Sequence, residues 1–463
     1  MMKTELPAPP YVSGAAPLVG HAWEFLKGPE TLLERGLIEH GTMFSLKLPA
    51  LSAVVMAGPE HSAFVFTETD KRLSIREAYP FFNHMFGSES YFLADPEEYH
   101  RQRVIILPRF RASQTAGHLG VMDREIQAFT ASLPDETTID LIEALGPLVM
   151  RIAADCFLGS GFSAGMNGFF ELFRVFSQGL DPLLPGWFPA PHLIRSHRAR
   201  DQLRATVRGL LEERRCRPLE APDFLQQLAE ARYADGSEVT DRVREGLALM
   251  LIWVGHETTA GHLAWALIDL LQHPEEMLRV QEEQQRVLPD REGEVSLSLL
   301  RRLEHLQRAL LESERLHPLT NGVVRKATVD IEYCGRLIRR GTAVILHPRL
   351  THRLSEVFPA PHSYRPDRFL EDPGSAQHLI GFGGGLHRCL GRHFAYTELK
   401  VAIVRLLQEF TIELVDPTPQ PAPGQRTKWP QSPCRVRLYR RPGGQRTVRG
   451  TADYTGDRAH DPS

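Results

Sequence analysis

Between Leu247 and Leu271 apolar residues fall on nearly every face of the helix that Asp241 to His273 would form, and Pro274 ends it. A helix apolar all round belongs inside a larger structure, not on its surface. With 463 residues, 42% of them hydrophobic, and a net charge of −3, the chain has ample material for a core around that helix. Length alone suggests about three domains. Yet no linker-like stretch, internal repeat or low-complexity block interrupts the middle. The expected class is mainly α with small β-sheets, residues 1–442 forming one domain and 443–463 a polar tail expected to be disordered.

At the centre of the buried helix sits Val254-Gly255-His256-Glu257-Thr258-Thr259, and polar groups there need a reason. A zinc-protease HExxH motif fails, because Ala260 stands where the second histidine belongs. Thr258 could donate to a carbonyl one turn earlier and simply bend the helix. A chemical role for the neighbouring carboxyl and hydroxyl is the other reading.

A second stretch, Gly381-Phe382-Gly383-Gly384-Gly385-Leu386-His387-Arg388-Cys389-Leu390-Gly391, precedes a predicted helix from Leu390 to Phe410. Cys389 would then lie at a helix N-terminus, where free N–H groups and the macrodipole favour a thiolate and lower a thiol's pKa. The glycines let the backbone fold tightly beside the sulfur. Phe382 offers a flat apolar wall, and His387 and Arg388 offer donors, a setting suited to a flat, dianionic cofactor with a thiolate-bound metal. A phosphate-cradling loop is disfavoured because Leu386 occupies the last GxGxxG position, and no P-loop lysine follows. An inert buried cysteine remains open. Zinc would need further Cys or His at short spacing.

The spacing Phe382-x-x-Gly385-x-His387-x-Cys389-x-Gly391 resembles the haem-binding loop of the cytochrome P450 superfamily, with His387 where most members carry arginine. The resemblance runs from about Pro7 to Pro442. It implies the cytochrome P450 fold, with haem b between the long central helix and the cysteine-loop helix, and Cys389 as the axial ligand of the iron. Glu257 and Thr258 match the family's acid and alcohol, Gly255 would leave room beside the iron, and Val254 replaces the usual Ala or Gly. Glu312 and Arg315 match ExxR and, with Arg368 of Tyr364-Arg365-Pro366-Asp367-Arg368-Phe369, imply a buried structural triad. Without the resemblance, the i, i+3 pair Glu312 and Arg315 would read as an ordinary surface contact. Arg325, His100 and Arg103 are implied partners of the haem propionates, and His387, Phe382, Gly383 and Tyr79 further cofactor contacts.

The remaining elements are read from periodicity: a helix over Ala22 to His40, strands over Thr42 to Leu48 and Leu51 to Ala57, and helices over Glu60 to Glu68, Pro96 to Leu107 and Leu299 to Leu316. Amphipathic helices fill Gly117 to Glu230, where prolines at 182, 185, 189 and 191 interrupt an aromatic stretch. Thr411 to Val415 and Cys434 to Tyr439 read as strands. Arg72 to Asp95 is apolar but aperiodic, either a buried loop or a lid. Its Tyr79, Phe82, Phe86 and Gly87 match sterol 14α-demethylases, whereas His84 replaces their proline and Glu257 their histidine. The expected substrate pocket comprises Tyr79, Phe82, Phe86, Val254 and Leu319.

The implied activity is that of a haem-thiolate monooxygenase, inserting one atom of O2 into a C–H bond of a bulky lipophilic natural product of terpenoid, steroid or polyketide type. Sterol 14α-demethylation is the alternative, and a haem-based sensor or binding module the reading from another class. Electrons would come from NAD(P)H through a separate ferredoxin and ferredoxin reductase, docking near Arg388, Arg392 and Lys400. Near-neutral charge argues against nucleic acid. Five cysteines without CxxC spacing suit a reducing compartment. The first 26 residues hold Glu5 and four prolines but no continuous apolar run, so a soluble, cytoplasmic, monomeric bacterial-type enzyme without a transmembrane anchor is expected.

Overall fold

The computed structural model describes residues 6–49, 51–110, 112–159, 162, 168–181, 184, 186–290, 293–423 and 427–442. The predicted tail 443–463, with Pro182 and Pro185, lies outside the described residues. Among those described, helices dominate and the strands gather into three small sheets, as the sequence implies.

Two helices, α1 (Ala22–Lys27) and α2 (Glu30–His40), replace the one predicted over 22–40. Gly28 ends the first in an extended conformation and Pro29 opens the second. Strands β1 (Met43–Leu48) and β2 (Leu51–Met56) form an antiparallel hairpin, followed by α3 (Pro59–Glu68). The aperiodic stretch contains β3 (Leu73–Ser74) and α4 (Asn83–Phe86). Asp95 caps α5 (Pro96–Ile106) by accepting from the Glu98 N–H at 2.9 Å. Next come α6 (Ala112–Ser132), β4 (Glu136–Asp140), α7 (Leu141–Leu158), α8 (Phe169–Ser177), α9 (Pro191–Cys216) and α10 (Phe224–Ala229).

Helix α11 (Asp241–Gln272) is the central one, capped by Thr240 and packed against α7, α9, α10 and three later helices. Its long apolar circumference demands this. Pro274 ends α11 and begins α12 (Pro274–Val287), a helix the sequence reading lacked. The helix predicted over 299–316 divides at Leu303 into α13 (Leu297–Arg302) and α14 (Glu304–Leu316). Then follow β5 (Val323–Ala327), β6 (Ile331–Tyr333), β7 (Arg336–Ile338), β8 (Ala343–Leu346), α15 (Pro348–Thr351), α16 (Arg368–Glu371), α17 (Arg392–Glu409), β9 (Phe410–Leu414) and β10 (Arg435–Arg440).

The largest sheet has the order β1-β2-β8-β5-β3, with β2 and β8 parallel. Its faces bury separate apolar clusters, one around Leu33 and Phe44, the other around Met56 and Leu346. A second sheet, β4-β10-β9, joins the middle of the chain to its C-terminal part, and β6 and β7 form a small hairpin.

One buried charge cluster ties α14 to the coil that leads toward Cys389. Glu312 and Arg315 are wholly buried, joined by two bonds of 2.8 Å. Arg368 adds bonds of 2.9 and 3.0 Å to the same carboxylate, and the Arg365 N–H another at 2.8 Å. The remaining guanidinium N–H groups donate to the carbonyls of His352, Pro359, Ala360, Pro361 and Ser363. A coil without helical or sheet bonding thereby finds partners for its carbonyls. His352 belongs to the same knot, its Nε2 accepting from the Ile380 N–H at 2.9 Å.

Removing one arginine leaves a buried carboxylate underpaired. Arg368→Leu should cost about 3–5 kcal/mol, read as a lower urea midpoint, and Arg368→Lys should recover only part of it because lysine lacks the planar fork. Burial, then Arg315, pushes His352 down to about 3 from 6.5. Between those values the unfolded chain binds a proton that the folded one refuses, so stability falls as pH drops from 6.5 toward 3. His352→Asn should lose stability less steeply over that window in pH-resolved urea titrations.

Candidate active site

Cys389 stands three residues before α17, with Gly391 flanking the helix start, rather than directly at a helix beginning with Leu390. The N–H groups of Gly391 and Arg392 donate to its sulfur. Its own N–H donates to the Phe382 carbonyl at 2.9 Å. The upstream glycines serve a different purpose from the one predicted. Gly383 and Gly385 have φ of +67° and +61°, and a Cβ on Gly384 would approach the Phe66 ring to 2.4 Å. They let the loop lie flat on α3.

Cys389 has exposed surface even though protein packs closely around its sulfur. That enclosure pushes its thiol pKa up in the bare protein, helped by nearby Glu314 and opposed by the two N–H donors and Arg392. The expected lowering by the helix terminus is outweighed by burial.

On α11 the turns either side of the motif are buried, but Val254 is 39% exposed and Thr258 is also exposed. A cleft therefore opens onto one strip of an otherwise enclosed helix. Thr258 Oγ1 donates to the Val254 carbonyl at 2.8 Å, which leaves its lone pairs free to accept. Glu257 Oε2 accepts from Thr427 Oγ1 at 3.3 Å. Gly255 lies on the side of α11 that faces α7. A Cβ there would meet Ala153 and Phe157 of α7 at 3.7 Å. Phe157 in turn packs on Phe110 and Phe394, and Phe110 on Gly391, an aromatic bridge from the motif to the cysteine loop that sequence reading missed. One turn after Thr258, Gly261 lies against Leu319 and Trp429, whose atoms a Cβ would meet at 3.0 and 3.2 Å.

A basic and aromatic group gathers beside the loop. Arg325 is buried, with Nε bonded to Thr69 at 2.9 Å and Nη1 to the Val324 carbonyl at 2.8 Å. Among the described residues no carboxylate lies within ion-pair distance of it, and burial lowers its pKa. Arg103 donates to the hydroxyls of Tyr91 and Tyr99, each at 3.4 Å. His387 pairs with Asp70 at 2.5 Å and lies 4.1 Å from the Tyr99 ring. His100 is exposed, its ring edge-on to that of Tyr99 at 5.9 Å. Tyr99, four residues before Arg103 and on the same helix face, joins it to the cysteine loop by accepting from Arg103 and stacking near His387.

An aromatic layer covers this region. Tyr79 accepts from the Val324 N–H at 3.0 Å and packs on Phe81 and Phe82. Phe82 and Phe86 both pack on Trp253. Phe86 is only 3% exposed, so it supports the wall more than it lines a space. His84 Nε2 binds the Gly179 carbonyl at 2.7 Å, tying this segment to the end of α8. Lys400 corrects a further prediction, being buried with Nζ bonded to the carbonyls of Leu300 and Leu303. Burial lowers its pKa to about 8, and it presents no docking charge. A small cavity of about 20 Å³ beside His317 and His347 lies apart from these residues and has space for about one water.

Comparison with known proteins decides the family, since the model described as Cytochrome P450 matches residues 9–436. The chain belongs to the cytochrome P450 family. It is similar to the sterol 14alpha-demethylase of Mycolicibacterium vanbaalenii, 31% identical over 422 residues that cover 88% of this chain and 92% of that one. The human lanosterol 14-alpha demethylase is 26% identical, with 89% and 83% covered. Retinoic-acid-bound cyanobacterial CYP120A1 superposes with a TM-score of 0.84 at 25% identity, covering 94% of this chain and all of that structure. The fold is the cytochrome P450 fold, and the enzyme is a P450 monooxygenase whose cofactor is haem b. The residues of this P450 fit that group: a cysteine with exposed surface, an accessible strip on a buried helix, and a buried arginine without an ion pair among the described residues suited to a propionate. No helix among the described residues is long and apolar enough to cross a membrane.

Because Gly384 touches Phe66, Gly384→Ala should cost about 1–3 kcal/mol by overpacking. Phe66→Leu should relieve it. Thermal melts of the single and double variants test this, and additive losses would show that the two residues are not coupled.

Proposed function

We propose that this P450 oxidises a C–H bond of a bulky lipophilic natural product, with Cys389 as the axial ligand and Glu257 and Thr258 as the proton-handling pair. The observation that carries this is the exposure of Thr258 and Val254 in the middle of a buried helix, beside a carboxyl held at the same level. Bound haem supplies dioxygen activation and the oxidation itself.

The chain's own residues position and protonate. Thr258 Oγ1, its hydrogen given to Val254, accepts a hydrogen bond from the cleft and exchanges protons with ordered water. Glu257, steadied by Thr427, brings protons from solvent to that hydroxyl. Arg325 and Arg103 take the propionates, with His387 kept nearby by Asp70. Tyr79, Phe82, Val254 and Leu319, backed by Phe86, form apolar walls, so selectivity comes from position rather than from a reacting side chain. Electrons arrive from a ferredoxin and its reductase, for which exposed Arg388, with half-buried Arg392, offers positive charge at the cysteine loop.

Sterol demethylation is the second reading, favoured by the names of the relatives. His84 and Glu257 depart from that group's pattern, which ranks natural-product tailoring first.

The reduced protein with CO should show the strongly red-shifted Soret band of a thiolate ligand, and Cys389→Ser should lose it. A histidine-type band in the unsubstituted protein would sink the assignment. Titration with terpenes, macrolides and sterols should give a low-to-high-spin shift with one of the first two classes, and a shift with sterols alone would favour demethylation. Thr258→Ala should lower product formation on the order of 10²-fold while O2 consumption continues, measured as product per NAD(P)H.

A further inference from the structure

Between the two ExxR residues lies a second acid that the charge cluster does not use. Glu314 sits two positions after Glu312, so on a helix the two side chains point to nearly opposite sides. Glu312 turns to Arg368, and Glu314 turns to the cysteine loop.

Glu314 is 5% exposed. Its Oε2 accepts from the Tyr396 hydroxyl on α17, and the Gly381 N–H donates to the carboxylate. A Cβ on Gly381 would come within 2.7 Å of Oε1, so the loop backbone starts close against this carboxyl. Arg392 lies over the rings of Tyr396 and Phe382 at 5.4 and 5.9 Å. The same Arg392 donates its N–H to the Cys389 sulfur. One carboxyl thus joins α14, the opening of the cysteine loop and α17, and its nearest charged neighbours are Arg392 and Arg388.

Burying a carboxylate is costly unless it is bonded and paired. An apolar side chain would pack α14 against the loop without that cost, so the packing alone does not call for an acid. What the acid adds is negative potential behind the sulfur, in a setting where charge acts over several ångströms with little screening.

We propose that Glu314, held by Tyr396 and Gly381, is a positioning residue that sets negative charge behind Cys389 and thereby lowers the reduction potential of the bound haem. This rests on Cys389 as the axial ligand. Burial pushes the Glu314 carboxyl up and Tyr396, Arg392, Arg388 and Gly381 oppose it, so the charge is best probed on the alkaline side.

The test is spectroelectrochemical titration of the haem-loaded protein at pH 8, with the CO spectrum of each variant recorded beside it. Glu314→Gln keeps the shape and removes the charge. It should favour the reduced state about tenfold, which is 59 mV for a one-electron couple, while keeping the thiolate-type CO band. Tyr396→Phe should shift the potential the same way, and adding it to Glu314→Gln should produce no further change, since Tyr396 acts through the carboxyl. Tyr396→Phe also carries the test should the Gln variant fail to fold. A ferric-to-ferrous ratio within twofold of the unsubstituted protein in both variants overturns the inference, as does an equal, additive shift from Tyr396→Phe in the Gln background. A missing thiolate band in the unsubstituted protein would instead bring down the Cys389 assignment, and this inference with it.

Discussion

A carboxylate with no access to water, Glu312, organises everything around the cofactor site. Two guanidiniums and one backbone N–H satisfy it. The unused donors of those arginines then hold the carbonyls of residues 352, 359, 360, 361 and 363, a stretch with little regular hydrogen bonding of its own. Charge satisfaction and backbone satisfaction are therefore one problem with one solution. The loop bearing Cys389 begins next to Ile380, whose N–H is held by His352 of this braced coil, so the cluster anchors the loop's start.

Features written in a single segment were legible in the sequence. The length and burial of α11 follow from apolar residues on all its faces, and the two short signatures and the cysteine spacing identify the fold. Breaks were harder, because Gly28-Pro29 and Leu303 interrupt periodicities that continue on either side. β4 is short, partly exposed and defined by a partner strand far along the chain, so nothing local announces it. The same holds for the site. Asp70 with His387, Thr427 with Glu257, and the Phe157 bridge are tertiary contacts between distant segments. Lys400 looked like a surface charge by residue type, yet its ammonium caps the end of α13. His100 and Tyr99 differ by one position, and only packing separates them.

Burial, rather than local dipoles, governs the electrostatics of this interior. It raises the bare Cys389 thiol in spite of two N–H donors, and holds His256 near 4 within the motif helix. Buried titratable groups near the cofactor site are thus biased toward neutral forms. Buried Glu312 keeps its arginines as partners.

Two of the sheets join early strands to late ones, with a consequence for how the chain matures. Asp140, at the end of β4, bonds to Cys434, 294 residues later, and β2 lies beside β8 across a comparable gap. During synthesis the early strands emerge long before their neighbours exist, presenting open edges that invite association with other chains. The brace on the cysteine loop likewise draws on residues 312, 315 and 368, all made after the central helix. Until β10 has left the ribosome, β4 therefore has no strand to pair with.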